Sequence, residues 1–328
     1  MKSFVAIIMS FCLVAGCFAA PVSTPASDAI SIRKVEKFRG VRTKQAEDAT
    51  EAMLQGLRDA DPASYERAID ALTKAYLAYP YDPRTTFDLG FSHLWVYAER
   101  DLANPNLRDS EHAILASHYF EKALVQAPTH PRIQGLAGAA LIHMARFDLD
   151  EAEGKQAIGK IRSAPYNLFN VFIEAYNFSN EPLGSELFEH ALSKHWEGFN
   201  SCFEGEKPDA AHPDITHFNY DSLHKECKNT HNAAHNLEGF MLNFGDLLTK
   251  NGDLEIAKII YKGAQLSPAY GDWPFKKTLE ERINNMEANS VYFKQDPANL
   301  SKTRQMLINS QVGCAICHKT SKTPTMLD

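Results

Sequence analysis

Between Ala46 and about Met286, apolar residues recur every three or four positions. No stretch alternates with the period of two that a half-buried strand needs, so the spacing predicts an all-α chain. Three segments share a finer pattern: Ala68, Leu72 and Ala75 before Pro80; Ala116, Phe120 and Ala123 before Pro128; and Ala257, Tyr261 and Ala264 before Pro268. In each, two small residues flank a bulky one, which lets a neighbouring helix approach closely while the large side chain fills its groove. Leu89-Gly90 and Phe244-Gly245 stand upstream of two of these segments, and Asn251-Gly252-Asp253 has the composition of a turn. Phe275 to Phe293 reads as one charged amphipathic helix with Leu279, Ile283 and Met286 on a stripe.

The Ala–bulky–Ala–Pro pattern with an upstream Leu-Gly pair resembles the tetratricopeptide repeat. The likeness covers 60–130 and 238–270, with a degenerate unit near 131–160. It departs from the family's period of roughly 34 residues. Gly90 to Ala116 is stretched by about fourteen residues, and 165–235 carries no clear repeat. The resemblance implies stacked helix pairs with a surface for a protein partner. Any α-helical bundle with Ala-rich contacts shares the local pattern, and that alternative stays open.

The N-terminus breaks the periodicity. Lys2 precedes an apolar run from Phe4 to Ala15, followed by small residues, the layout of an export signal over 1–20. The run is too short for a permanent span. Val14-Ala15-Gly16-Cys17 resembles a bacterial lipobox, which implies lipidation of Cys17 and membrane attachment and is the preferred route; a small-x-small cut after Ala19 is the alternative. Either route implies an exported protein in a bacterial periplasm. Residues 21–45 read as a tether.

The 328 residues carry 34 Lys and Arg against 41 Asp and Glu, a net charge of −7 without a basic block, which argues against nucleic-acid binding. Six cysteines are too few to scaffold a chain of this size, so their positions matter more than their number. Cys314-Ala-Ile-Cys317-His318 is Cys-x-x-Cys-His, the attachment pattern of c-type haem. Two thiols bond the vinyl groups on one edge of the porphyrin, and the adjacent His ligates iron. Random placement at this composition gives about 0.004 such motifs. A local disulfide, a zinc knuckle and a thioredoxin-like site are the competing uses; the tail supplies only three of the four ligands zinc takes, and a thioredoxin-like site needs α/β context. Val312 to Lys319 resembles the last helix of cytochrome c′-type proteins over about fifteen residues, and in those bundles haem has no second protein ligand. Only ten residues follow His318, so the pocket must come from upstream.

Seven of the thirteen histidines lie between His190 and His235. His231 and His235, spaced i, i+4, would share a face of one helix with Cys227 a turn earlier. His235, nearer Leu237 and Phe240, is the candidate distal iron ligand and His231 the second; a pair of capping or core histidines is the plainer use. Met306 and Met326 flank the motif and are poorly placed to reach the opposite haem face. Cys202 and Cys227 are the remaining pair, and an oxidising compartment favours a disulfide between them; Cys227 with His231 and His235 as metal ligands is the rival use. Tyr270-Gly-Asp-Trp273-Pro-Phe275 is an aromatic turn able to wall a haem pocket or close a repeat end.

The expected organisation is therefore a signal (1–20), a tether (21–45), helical repeats (46–165), a His-rich helical insertion with a disulfide (166–237), a repeat with a capping helix (238–295) and a haem-attachment tail (296–328). The fold class is all-α, a tetratricopeptide-like array with a C-terminal haem-binding tail. One covalent haem c, electron transfer or haem-based sensing, and a redox or other protein partner on the repeat surface follow. A binding scaffold with structural haem, and a peroxidase-type enzyme with an open distal site, are the alternatives; an electron carrier or binding protein is preferred to an enzyme.

Overall fold

Helix starts along this chain are written in short polar residues and proline. Thr43, Asp61, Asp82 and Ser185 each accept a hydrogen bond from a backbone N–H of the turn they cap. Pro62 and Pro83 occupy first helical positions, where a missing N–H costs nothing. The computed structural model describes residues 42–100, 107–148, 151–163, 168–203, 209–211, 213–215, 219–295, 306–307 and 313–320. The leader, Cys17, nearly all of the tether and Met326 lie outside the described residues.

Among the described residues the fold is all-helical, with no strand. The helices are α1 (Lys44–Asp59), α2 (Pro62–Ala78), α3 (Pro83–Ala98), α4 (Leu107–Gln126), α5 (Pro131–Asp148), α6 (Glu151–Ser163), α7 (Leu168–Phe178), α8 (Glu186–Ser201), α9 (Asn236–Asn251), α10 (Leu254–Gly263), α11 (Lys276–Asn284), α12 (Met286–Tyr292) and the single turn α13 (Ala315–His318). Consecutive helices pack as pairs, α1 with α2 through α9 with α10, and α4, α5 and α7 link successive pairs.

The repeated stripe is what the pairs bury. Ala68, Leu72 and Ala75 on α2, Ala116, Phe120 and Ala123 on α4, and Ala257, Tyr261 and Ala264 at α10 are all 4% exposed or less. Glycines of the preceding helices meet the bulky members. A Cβ on Gly90 of α3 would stand 3.2 Å from the Phe120 ring, and one on Gly245 of α9 would overlap the Tyr261 ring. Gly138 of α5 meets Ile161 of α6 in the same way. In α7 and α8 the order reverses, with Gly198 of the second helix under Phe172 of the first. This reversal is why the stretch after 165 shows no repeat in the sequence although it folds as another pair.

The expected capping helix is in fact two. Asn285 ends α11 with φ −120° and ψ 24°, and its side-chain amide donates to the Glu281 carbonyl at 2.9 Å. A side chain that bonds the preceding turn competes with helix continuation, and α12 restarts at Met286.

Candidate functional site

The Cys-x-x-Cys-His segment makes one helical turn and stops. Cys314 caps α13, the Cys317 N–H donates back to the Cys314 carbonyl at 3.3 Å, and Lys319 returns to extended backbone. Such a turn sets the two thiols three residues apart on one side of the segment. Three elements hold it. The Trp273 indole N–H donates to the Ile316 carbonyl at 2.8 Å, the His235 N–H donates to the Cys317 carbonyl at 2.9 Å, and the Thr320 N–H donates to the Arg58 carbonyl at 3.0 Å. Ile316 is fully buried in the largest apolar cluster, beside residues of α9. The motif thus touches both α1 and α9, the first helices of the first and last pairs.

Each thiol has its own wall. Cys314 packs against Leu57, Tyr65 and Trp95. Cys317 lies over Gly239 in the first turn of α9, where an added Cβ would overlap its sulfur. Both are half-buried and free of a disulfide. Burial pushes both thiols up, Cys317 to about 12, and nearby Glu99 and Glu238 add to the effect at Cys314 and Cys317 respectively. Thiols held protonated at neutral pH are poor nucleophiles, unlike those of a dithiol redox site.

His318 accounts for its own tautomer. Its Nδ1 lies within hydrogen-bond reach of the Asn232 carbonyl, which only an N–H can satisfy. Burial lowers its proton affinity and favours the neutral ring. Nε2 is then left as the free lone pair, the arrangement found behind metal-bound histidines. The Trp95 ring meets the imidazole edge to face at 5.1 Å and 78°.

Glu99 closes the far side. Tyr65 donates to its Oε2 at 2.6 Å, and the Ala315 N–H also bonds the carboxyl. Its Oε1 is shielded from solvent and completes no hydrogen bond. Burial raises this carboxyl to about 7, against the opposing pull of Tyr65, the Trp95 indole, the Ala315 N–H and Lys319.

The histidine-rich middle does not form the expected i, i+4 helix face. Helix α9 begins at Asn236 with His235 as its cap, and His231 sits in the bend before it. The Thr230 hydroxyl takes the Ala233 N–H and the Asn229 side chain takes the Leu237 N–H, so local polar side chains hold the segment as a turn. His231 Nε2 pairs with Arg58 at 2.8 Å. His235 is buried, with Nδ1 3.4 Å from Glu238 and its backbone on the motif. His195 is fully buried between Phe240 and Phe244 with Nε2 unpartnered, and His190 pairs with Glu174 at 2.7 Å. His212 and His217 lie outside the described residues. Among the described residues no three His, Cys, Asp or Glu side chains converge as ligands for a metal ion, Cys227 with His231 and His235 included. Cys202 and Cys227 instead stand at disulfide distance, S–S 2.12 Å, both buried. Met306 lies buried in a cluster with Phe178, Leu247 and Phe293.

Trp95, Glu99, Asn232 and Gly239 escape a reading of the sequence. Only Gly239 leaves a trace, as a glycine inside a helical pattern marking a close approach. A scan against protein-family models gave no match, and comparison with curated proteins and with solved structures gave none either.

Proposed function

We propose that this chain is an exported monohaem c-type protein whose tail carries haem on a tetratricopeptide-like helical scaffold, and that it works in one-electron transfer or haem-based sensing. The observation that carries the reading is His318, whose Nδ1 is engaged by the Asn232 carbonyl and whose Nε2 is left for iron. The remaining geometry fits the group. Cys314 and Cys317 are free, share one turn and would form the two thioethers, while Trp95 buttresses the proximal ring. When bound, haem supplies a one-electron iron couple. The protein's own part is to fix the ring of His318, shield the thioether edge with Leu57, Tyr65 and Gly239, and hold the motif by Trp273 and His235.

The small-against-large contacts at Gly90 with Phe120 and Gly245 with Tyr261 support the repeat reading. A disulfide-distance pair is compatible with export. A redox or other protein partner would bind the helical surface, and a lipidated Cys17 would tie the chain to a membrane.

The test is expression with haem-maturation machinery in a periplasm. Intact mass should exceed the processed chain by one haem, and Cys314→Ala with Cys317→Ala should lose that mass while keeping the helical circular dichroism. A native mass equal to the bare chain removes the reading. The same spectra decide the sixth iron position: a low-spin wild type turned high-spin by His235→Ala assigns His235 there, and a five-coordinate wild type frees that site for gas or peroxide.

A further inference from the structure

Next to the haem-attachment turn stands a carboxyl that the covalent chemistry does not use. Glu99 ends α3 and reaches α13 at the Ala315 N–H, not at His318. The Trp95 indole, one turn earlier on the same helix, is the residue that meets the His318 ring. Glu99 has one oxygen in a 2.6 Å bond from Tyr65 and the other shielded and without a complete partner. Burial of the carboxylate outweighs the donors that Tyr65, the Trp95 indole and the Ala315 N–H offer it, and adding a proton to the carboxyl removes that cost.

Resting on the function proposed above, we infer that Glu99 is a proton-binding site coupled to the electron at the haem: the carboxyl takes up a proton when the iron is reduced and releases it when the iron is oxidised. The balance is simple. One electron from a one-electron donor, a reduced redox protein in the cell, converts ferric to ferrous iron. One proton from solvent converts the Glu99 carboxylate to the acid, so the pocket's net charge is unchanged. The direction follows from Coulomb's law: the ferric centre carries one more positive charge and favours the carboxylate, and reduction removes that support. Burial holds the carboxyl at about 7, so exchange falls within the physiological range.

The groups facing Glu99 can be named from each element around it. Tyr65 on α2 stays protonated, pushed well above the usual phenol range by burial and by Glu99 itself. Lys319, after α13, is a cation favouring the carboxylate in both iron states. Cys314, which Glu99 also influences, ceases to titrate once it is a thioether.

The experiment is a spectroelectrochemical titration of the full haem-loaded chain, mediated and reduced with dithionite, over the range from mildly acid to mildly alkaline. A shift of the carboxyl by about one unit between the two iron states would make the reduced-to-oxidised ratio at fixed potential fall about tenfold as pH rises through neutrality, and that fall is the expected result. Glu99→Gln, which keeps shape and removes the proton site, should abolish that fall. Tyr65→Phe removes a donor to the carboxylate and should move the window to higher pH, which loss of packing alone would not do. A wild type without pH dependence, a Glu99→Gln protein with the wild-type dependence, or an unmoved window in Tyr65→Phe overturns the inference while the haem reading stands. A preparation with no haem absorption overturns the haem reading itself, and this inference with it.

Discussion

Gly239→Ala tests whether the Cys-x-x-Cys-His turn is held where the structure puts it. The substitution adds one methyl group in the first turn of α9. Built on the existing backbone, it overlaps Cys317 Sγ and stands 3.1 Å from Ile316 Cγ2 and 3.4 Å from Cys317 Cα. Unstrained heavy-atom contacts lie at about 3.5–4.0 Å, so the tail must retreat by about 1 Å or more. That movement pulls on the bonds from Trp273 to Ile316, at 2.8 Å, and from His235 to Cys317, at 2.9 Å. The tail either gives up those two bonds, at about 2 kcal/mol, or stays and is overpacked, at about 1–3 kcal/mol. Alanine in a helix returns about 1 kcal/mol, but to α9 itself, whether or not the tail is docked. A net undocking term of about 2 kcal/mol multiplies the open population by about 30. Alkylation of Cys314 and Cys317 in haem-free protein reads this opening, because both thiols are half-buried and protonated when docked. The variant should label about 30-fold faster and load less haem, with the helical body melting within about 1 kcal/mol of wild type. Gly159→Ala is the control: it lies exposed inside α6 with no atom within 4 Å of the added Cβ, and should stabilise by about 0.5–1 kcal/mol without changing labelling. Wild-type labelling rates in Gly239→Ala would refute the placement of the tail on α9.

Two further outcomes follow from buried groups away from the motif. Removing both Cys202 and Cys227 opens a crosslink spanning 25 residues, which the chain-entropy relation puts at about 3.5 kcal/mol; denaturant unfolding should show that loss, and non-reducing peptide maps should recover the linked pair. Two alkylatable thiols in periplasmic protein would remove the crosslink. His195 is held neutral down to about 4 by burial, so below about 6.5 the unfolded chain binds the extra proton and stability falls as pH drops through that window, by up to about 3 kcal/mol. His195→Phe fits the same slot between Phe240 and Phe244 and should flatten the acid limb of the stability profile; an unchanged acid midpoint refutes the assignment.

The helical class and the stripes of α2, α4 and α10 were legible in the sequence because both come from spacing along one helix. Ala68 with Leu72 or Ala257 with Tyr261 lie on one face whatever else the chain does, and burying that face is the cheapest way to remove it from water. The Cys-x-x-Cys-His pattern needs only five consecutive residues to be read, and the haem it would attach is the proposal made above. What failed was local too. The i, i+4 histidine pair and the single capping helix gave way to side chains of Asn229, Thr230 and Asn285 that bond their own backbone, a competition hydrophobic spacing does not reveal.

The surroundings of the motif belong to tertiary structure alone. Arg58 meets Thr320 across 262 positions, Trp273 meets Ile316 across 43, and Asn232 meets His318 across 86. Which of the thirteen histidines, three tryptophans and many carboxylates end near the two thiols depends on how each helix pair packs on the next, a sum of many weak contacts with no counterpart in any short segment. The sequence by itself determined that this chain is helical and that its tail carries Cys-x-x-Cys-His in one turn's reach. Only the fold decided that His318 would find a carbonyl for its Nδ1, that Gly239 would lie beneath Cys317, and that Glu99 would be carried out of water beside them.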